Sequence, residues 1–189
     1  FPTPTIGMVG VLKDKNNFMS LDFKQTDDLI YLLGPSKDDI SSSEYLVNIL
    51  NVHNSSTPFF DLDLEFKLHQ IVLKLINQKT IKSAHDISDG GLFVSLVESM
   101  IPRKLGCEIY TDPDFRQDTY LFGESQSRVL VSLDKKQEKE FISLLRKNKF
   151  PYYRLGKVSL NKVLIDDSDF GNIQKLESIY SNSLGKNFN

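Results

Sequence analysis

The run Leu29-Ile30-Tyr31-Leu32-Leu33, ended by Gly34-Pro35, constrains this chain more than any other stretch. Five successive apolar residues with no polar alternation read as a central strand buried within a sheet. Other segments fit around it. Residues 5–12 read as a strand, with Ile6, Met8, Gly7 and Gly10 able to sit under another segment, and residues 13–17 as a polar turn. Ser41-Ser42-Ser43 precedes a short helix over 44–50, and 51–60 is a loop. A long helix follows over 62–78, with Leu64, Leu68, Ile71, Val72 and Leu75 on one face and Asp61 or Asp63 as cap. Strands are expected at 81–84, 105–111 and 129–133, and helices at 90–101, 114–120 and 135–148. Residues 153–158 and 163–165 read as a hairpin or a pair of edge strands, and 172–184 as a terminal helix fraying over 185–189. Strands and helices interleave, so the fold class is α/β, or α+β with a mixed sheet.

The bulk properties fit an ordinary intracellular domain. At 189 residues the chain can bury a sizeable core. Its net charge of −2 gives no electrostatic argument for nucleic acid or an anionic membrane. One cysteine, Cys107, leaves no internal disulfide and fits a reducing, cytoplasmic setting. No apolar run approaches the ~20 residues a membrane-spanning helix needs. His53, His69 and His85 lack metal-ligand spacing with Cys107, so no zinc site is read, and His69 reads as a satisfied structural histidine. There is no phosphate-binding P-loop and no Rossmann glycine pattern. A start on Phe-Pro-Thr-Pro without Met reads as a piece of a longer protein: residues 1–4 a linker from a preceding domain, 5–189 one domain.

Chemistry concentrates in two places. In Ser83-Ala84-His85-Asp86-Ile87-Ser88-Asp89-Gly90-Gly91-Leu92 a strand ends and a helix begins. Between them lie a histidine, two carboxylates, a hydroxyl and a glycine pair. An open helix N-terminus presents unpaired N–H groups and favours negative charge, from a side chain or a bound anion. Glycine lets a ligand or another backbone approach closely. The plainer reading is that Ser88 or Asp89 caps the helix. The second place is Gly123-Glu124-Ser125-Gln126-Ser127-Arg128, where Arg128 suits bidentate phosphate contact. Its plainer reading is an ordered polar loop in which Glu124 and Arg128 bond to backbone or to each other. Glu44 is either a site carboxylate or a first-turn acid on a helix.

Four stretches, Pro2-Thr3-Pro4-Thr5-Ile6-Gly7, Leu33-Gly34 with Ser43-Glu44-Tyr45-Leu46, Ala84 to Leu92, and Phe122 to Arg128, occur in this order. Together they resemble the C-terminal domain of the synthetase subunit in the phosphoribosylformylglycinamidine synthase family. That family belongs to a superfamily with aminoimidazole ribonucleotide synthetase, selenophosphate synthetase and thiamine monophosphate kinase. The resemblance implies a three-layer α/β/α C-terminal domain with a mixed, partly ferredoxin-like sheet. It implies a part in converting formylglycinamide ribonucleotide, ATP and ammonia from glutamine into formylglycinamidine ribonucleotide, ADP and phosphate. The substrate-binding set it implies is His85, Asp86, Ser88, Asp89, Gly90, Gly91, Gly123, Glu124, Ser125, Gln126 and Arg128, with no catalytic residue and no metal ligand assigned. ATP and magnesium are implied for the complete enzyme, bound mainly outside this piece, whose isolated form is expected to be inactive. The implied partners are the N-terminal remainder of the synthetase chain, a glutaminase subunit or domain, and a small accessory subunit. Two alternatives stay open: a noncatalytic binding or assembly module of the same fold, and a domain of a sister enzyme such as aminoimidazole ribonucleotide synthetase.

Overall fold

The computed structural model describes residues 5–183, so the linker at 1–4 and the tail at 185–189 lie outside it. Strand β1 (Leu29–Leu33) is buried along its whole length, as an unbroken apolar run requires. It pairs antiparallel with β4 (Val129–Leu133) on one side and β5 (Tyr152–Ser159) on the other. Outward from β4 lies β2 (Ser83–Asp86). Outward from β5 lie β3 (Gly106–Ile109), β6 (Lys162–Ile165) and β7 (Ser168–Asn172). The β3–β6 pair is parallel and the others are antiparallel, which makes a seven-stranded mixed sheet.

Alternation along β1 divides the core into two layers. Ile30 and Leu32 point to one face, where they meet α3 (Gly91–Met100), α4 (Gln117–Phe122) and α6 (Ile173–Asn182) through Leu92, Leu96, Met100, Tyr120, Leu121 and Ile173. Leu29, Tyr31 and Leu33 point to the other face, against α2 (Leu62–Asn77) and α5 (Glu138–Lys147). The result is three layers, α/β/α. Burying a side chain such as Leu32 contributes about 1.5–3 kcal/mol. Helix α1 (Glu44–Asn48) starts on Ser43, whose hydroxyl accepts from the Leu46 N–H at 3.1 Å, and α2 starts on Asp61, which accepts from the Leu64 N–H at 3.0 Å.

Several expectations need correction. Residues 5–12 form no strand and are exposed throughout. A strand needs a neighbour to complete its hydrogen bonds, and none of the described residues offers one. Strands β5 and β6 are neither a hairpin nor edge strands: β3 lies between them and β5 is central. The hairpin is β6–β7, joined by Asp166 and Asp167, both at positive φ (50° and 61°), the backbone that a two-residue turn demands. The short helix expected at 114–120 begins three residues later, at Gln117. His69 sits on the open side of α2, its imidazole 2.8 Å from the Glu65 carboxylate.

Candidate functional site

Three of the four stretches singled out in the sequence meet at one end of the sheet. Gly34, at φ +94°, lies so close to the Ser127 carbonyl that a Cβ there would stand 1.9 Å from the oxygen. A Cβ on Gly91 would stand 2.8 Å from the carbonyl oxygens of Leu121 and Gly123, and one on Gly123 would stand 2.5 Å from that of Asp39. Only glycine permits these approaches. The turn and the loop are joined further by the Ile87 N–H donating to the Arg128 carbonyl at 3.1 Å. The fourth stretch, at the chain start, takes no part among the described residues.

Glu124 is the link at the centre. Its Oε1 accepts from the Glu44 N–H at the start of α1 and from the Gly90 N–H ahead of α3, both at 2.8 Å. One carboxylate therefore holds two helix starts, where negative charge is favoured. The plainer reading of the turn fails, because neither Ser88 nor Asp89 caps α3. The N-cap is Gly90, at φ +81° with no side-chain bond. The Gly91 N–H goes to the Ser88 carbonyl instead, at 3.0 Å. Asp86, Ser88 and Asp89 are left exposed.

Arg128 is turned inward. It is 3% exposed, its Nε donates to the Ser125 carbonyl at 3.1 Å, and its Nη2 donates to the Gly123 carbonyl. Burial pulls its pKa down to about 10, and the nearby Tyr120 and Glu124 oppose that shift. The guanidinium thus bonds to the backbone of its own loop, as the plainer reading of that stretch expects. Gln126 projects outward and reaches the Glu124 carbonyl at 3.3 Å. The Ser125 hydroxyl is buried with no partner among the described residues, while the Ser127 hydroxyl donates to Glu65 on α2. The exposed rim of Asp86 and Gln126 borders a cleft of about 410 Å³, walled on its far side by Leu68, His69 and Val72 of α2. On the other flank, beside Gly90, lies an apolar hollow of about 370 Å³ between Tyr45, Ile49, Val94 and Phe122.

Residues that the sequence did not flag complete the frame. The Ser95 hydroxyl, buried in α3, lies 3.2 Å from the carbonyls of both Asp86 and Gly91 and ties the turn to its helix. His85 Nε2 is 2.7 Å from Glu98 Oε2, and its Nδ1 is 3.3 Å from Asp86 Oδ1. A small residue one turn into a helix that follows such a turn is a legible signal for Ser95. Nothing local marks Glu98.

Comparison with known proteins gives a consistent result. Residues 25–165 match the family described as "AIR synthase related protein, C-terminal domain". The phosphoribosylformylglycinamidine synthase subunit PurL of Caldanaerobacter subterraneus subsp. tengcongensis is 38% identical over 166 residues, covering 88% of this chain and 23% of the relative. Among solved structures, Thermotoga maritima PurL complexed with FGAR superposes with a TM-score of 0.73 at 16% identity, covering 86% of this chain and 30% of that one. PurLQS from the same organism gives 0.68 at 16% identity, covering 85% and 27%. At that identity the structures show the fold. The chain spans about a quarter of the length of the curated relatives it matches.

Proposed function

The chain belongs to the AIR synthase related protein C-terminal domain family, and from that premise we propose that it serves as the C-terminal domain of a phosphoribosylformylglycinamidine synthase. The complete enzyme would convert formylglycinamide ribonucleotide, ATP and glutamine-derived ammonia into the amidine, ADP and phosphate. The observation that carries this reading is the meeting of three distant stretches around Glu124. An ordinary core has no need to leave two carboxylates, a hydroxyl and an amide exposed on so tightly constrained a backbone.

In this reading Asp86, Ser88, Asp89 and Gln126 face the ribonucleotide, with His85 behind Asp86. Gly90, Gly91 and Gly123 let the backbones close up, and Glu124, Ser125 and Arg128 keep the loop in shape. Holding the reactants in register is most of what such chemistry asks of a protein. These residues do not make a full seat for ATP or magnesium. The arginine of the loop faces inward, and among the described residues no group of three or more His, Cys, Asp or Glu side chains is arranged to hold a metal ion. Both are assigned to the rest of the longer protein. A glutaminase, fused or separate, and an accessory subunit are its proposed partners.

Because Asp89 caps nothing, its substitution separates function from folding. Asp89→Asn in the complete synthetase should lower amidine formation about 10- to 100-fold, matching a lost charge-assisted contact of about 1.5–3 kcal/mol. The melting temperature of the isolated chain should stay put. That chain, given ATP, ribonucleotide and ammonium, should form no amidine. Parent-level turnover by the variant would favour the noncatalytic module, and turnover by the isolated chain would overturn the division of labour.

A further inference from the structure

We infer that Glu98 and Tyr180 are positioning residues for this site, acting through His85, so that the last helix of the described chain belongs to the site's frame. The inference rests on the proposed function for its catalytic consequence and on geometry alone for its structural one. His85 lies in β2 opposite Leu130, whose side chain is part of the α3–α6 core layer. From α3, Glu98 Oε2 meets the imidazole Nε2 at 2.7 Å. From α6, the Tyr180 hydroxyl donates to the other oxygen of the same carboxylate, also at 2.7 Å.

With one oxygen engaged by the Tyr180 hydroxyl from α6 and the other by His85 from β2, the Glu98 carboxylate is held at both ends. Its Oε2 accepts a hydrogen bond from the Nε2–H and so fixes the rotation of the ring and favours hydrogen on that nitrogen. The Nδ1 edge is then directed at Asp86, 3.3 Å away, the exposed carboxylate at the mouth of the turn. One chain of contacts, Tyr180–Glu98–His85–Asp86, runs from α6 to the ligand-facing rim. Its far end is well anchored. Ile173 of α6 is fully buried, Glu177 pairs with Lys104, and Phe170 packs 5.8 Å from Phe93 of α3. An incidental surface ion pair would hold the carboxylate at one oxygen and leave its other end to solvent.

The test uses two variants and two readouts. Chain labelled with ¹⁵N-histidine should show hydrogen held on His85 Nε2 and bonded to a carboxylate. Glu98→Gln keeps an acceptor but removes the charge, and should move both ring nitrogens toward the averaged values of a free imidazole. Tyr180→Phe, which never touches the histidine, should move them the same way by less. In the complete synthetase Glu98→Gln should lower kcat about 10- to 100-fold. KM for the ribonucleotide should stay within about twofold and the melting temperature should not change. His85 nitrogen shifts unaltered by Tyr180→Phe, or parent-level kcat in Glu98→Gln, would overturn the inference. Absence of amidine formation by the unsubstituted synthetase would instead overturn the proposed function, leaving the nitrogen shifts to decide the relay.

Discussion

Residues 5–12 and β1 carry the same signal in sequence, an apolar run punctuated by glycine, and meet opposite fates. In β1 every side chain is buried, at most 3% exposed, and both backbone edges are paired. In the earlier run Ile6, Met8, Val9 and Val11 are 85–103% exposed, and the backbone pairs with nothing described. An apolar run records that a segment is built to be covered. It does not record by what. Strand pairing needs a partner edge at the right distance, and of these two runs β1 alone finds one among the described residues.

The sharpest way to break the comparison is to shorten one side chain in each run. Leu32→Ala should cost about 2–5 kcal/mol in urea unfolding, because Leu32 is fully buried against the α3 layer. Val9→Ala should stay within about 0.5 kcal/mol. A large loss from Val9→Ala would show that the first run is covered in solution after all.

Glycines sharpen it next. Gly34→Ala places a Cβ against the Ser127 carbonyl at φ +94°, and should cost about 1–3 kcal/mol while loosening the site. Gly7→Ala, with nothing within 4 Å of the added carbon, should be close to neutral. Thermal unfolding of both variants checks the pair.

Alkali gives the smallest contrast. Burial, then the hydrogen bond from the Tyr31 hydroxyl to Glu138, hold the Tyr31 pKa well above the usual tyrosine value. Burial also lifts Tyr120 and Cys107 to about 12. Above the unfolded pKa values, about 8.5 for cysteine and 10 for tyrosine, the folded chain binds more protons than the unfolded one. Stability therefore falls as pH rises, by up to about 1.4 kcal/mol per pH unit for each group. Tyr31→Phe should flatten that slope above about pH 10, measured by urea unfolding at stepped pH, whereas no group in residues 5–12 titrates there. An unchanged slope would place Tyr31 outside the titrating set.

Long, strongly patterned segments were legible: β1, α2, α3, α5 and the apolar faces that make two core layers. The three stretches of the candidate site were legible one by one, but their grouping was not, because it depends on contacts between Glu44, Gly90 and Glu124 that no local pattern encodes. Strand β7, Ser-Asp-Phe-Gly-Asn, is too polar to read as a strand. It forms because Asp166-Asp167, both at positive φ, turns the chain back onto β6, and the Asp-Asp pair alone was the available clue. The absence of a side-chain cap on α3 follows from Gly90 at positive φ, which places the preceding aspartate away from the helix N–H groups.

The double acceptance by Glu124 has a consequence for how the molecule comes into being. Its carboxylate joins residues 80 and 34 positions away along the chain. Closing loops of that length carries an entropic cost that only a formed sheet can offset, and non-local contacts of this kind slow folding. Each stretch can take up its own turn early, but the grouping exists only after β4 has docked between β1 and β2. During refolding, helix and sheet signals should recover first and the site last. During partial unfolding the order reverses: the chain loses its site while most of its secondary structure is still in place.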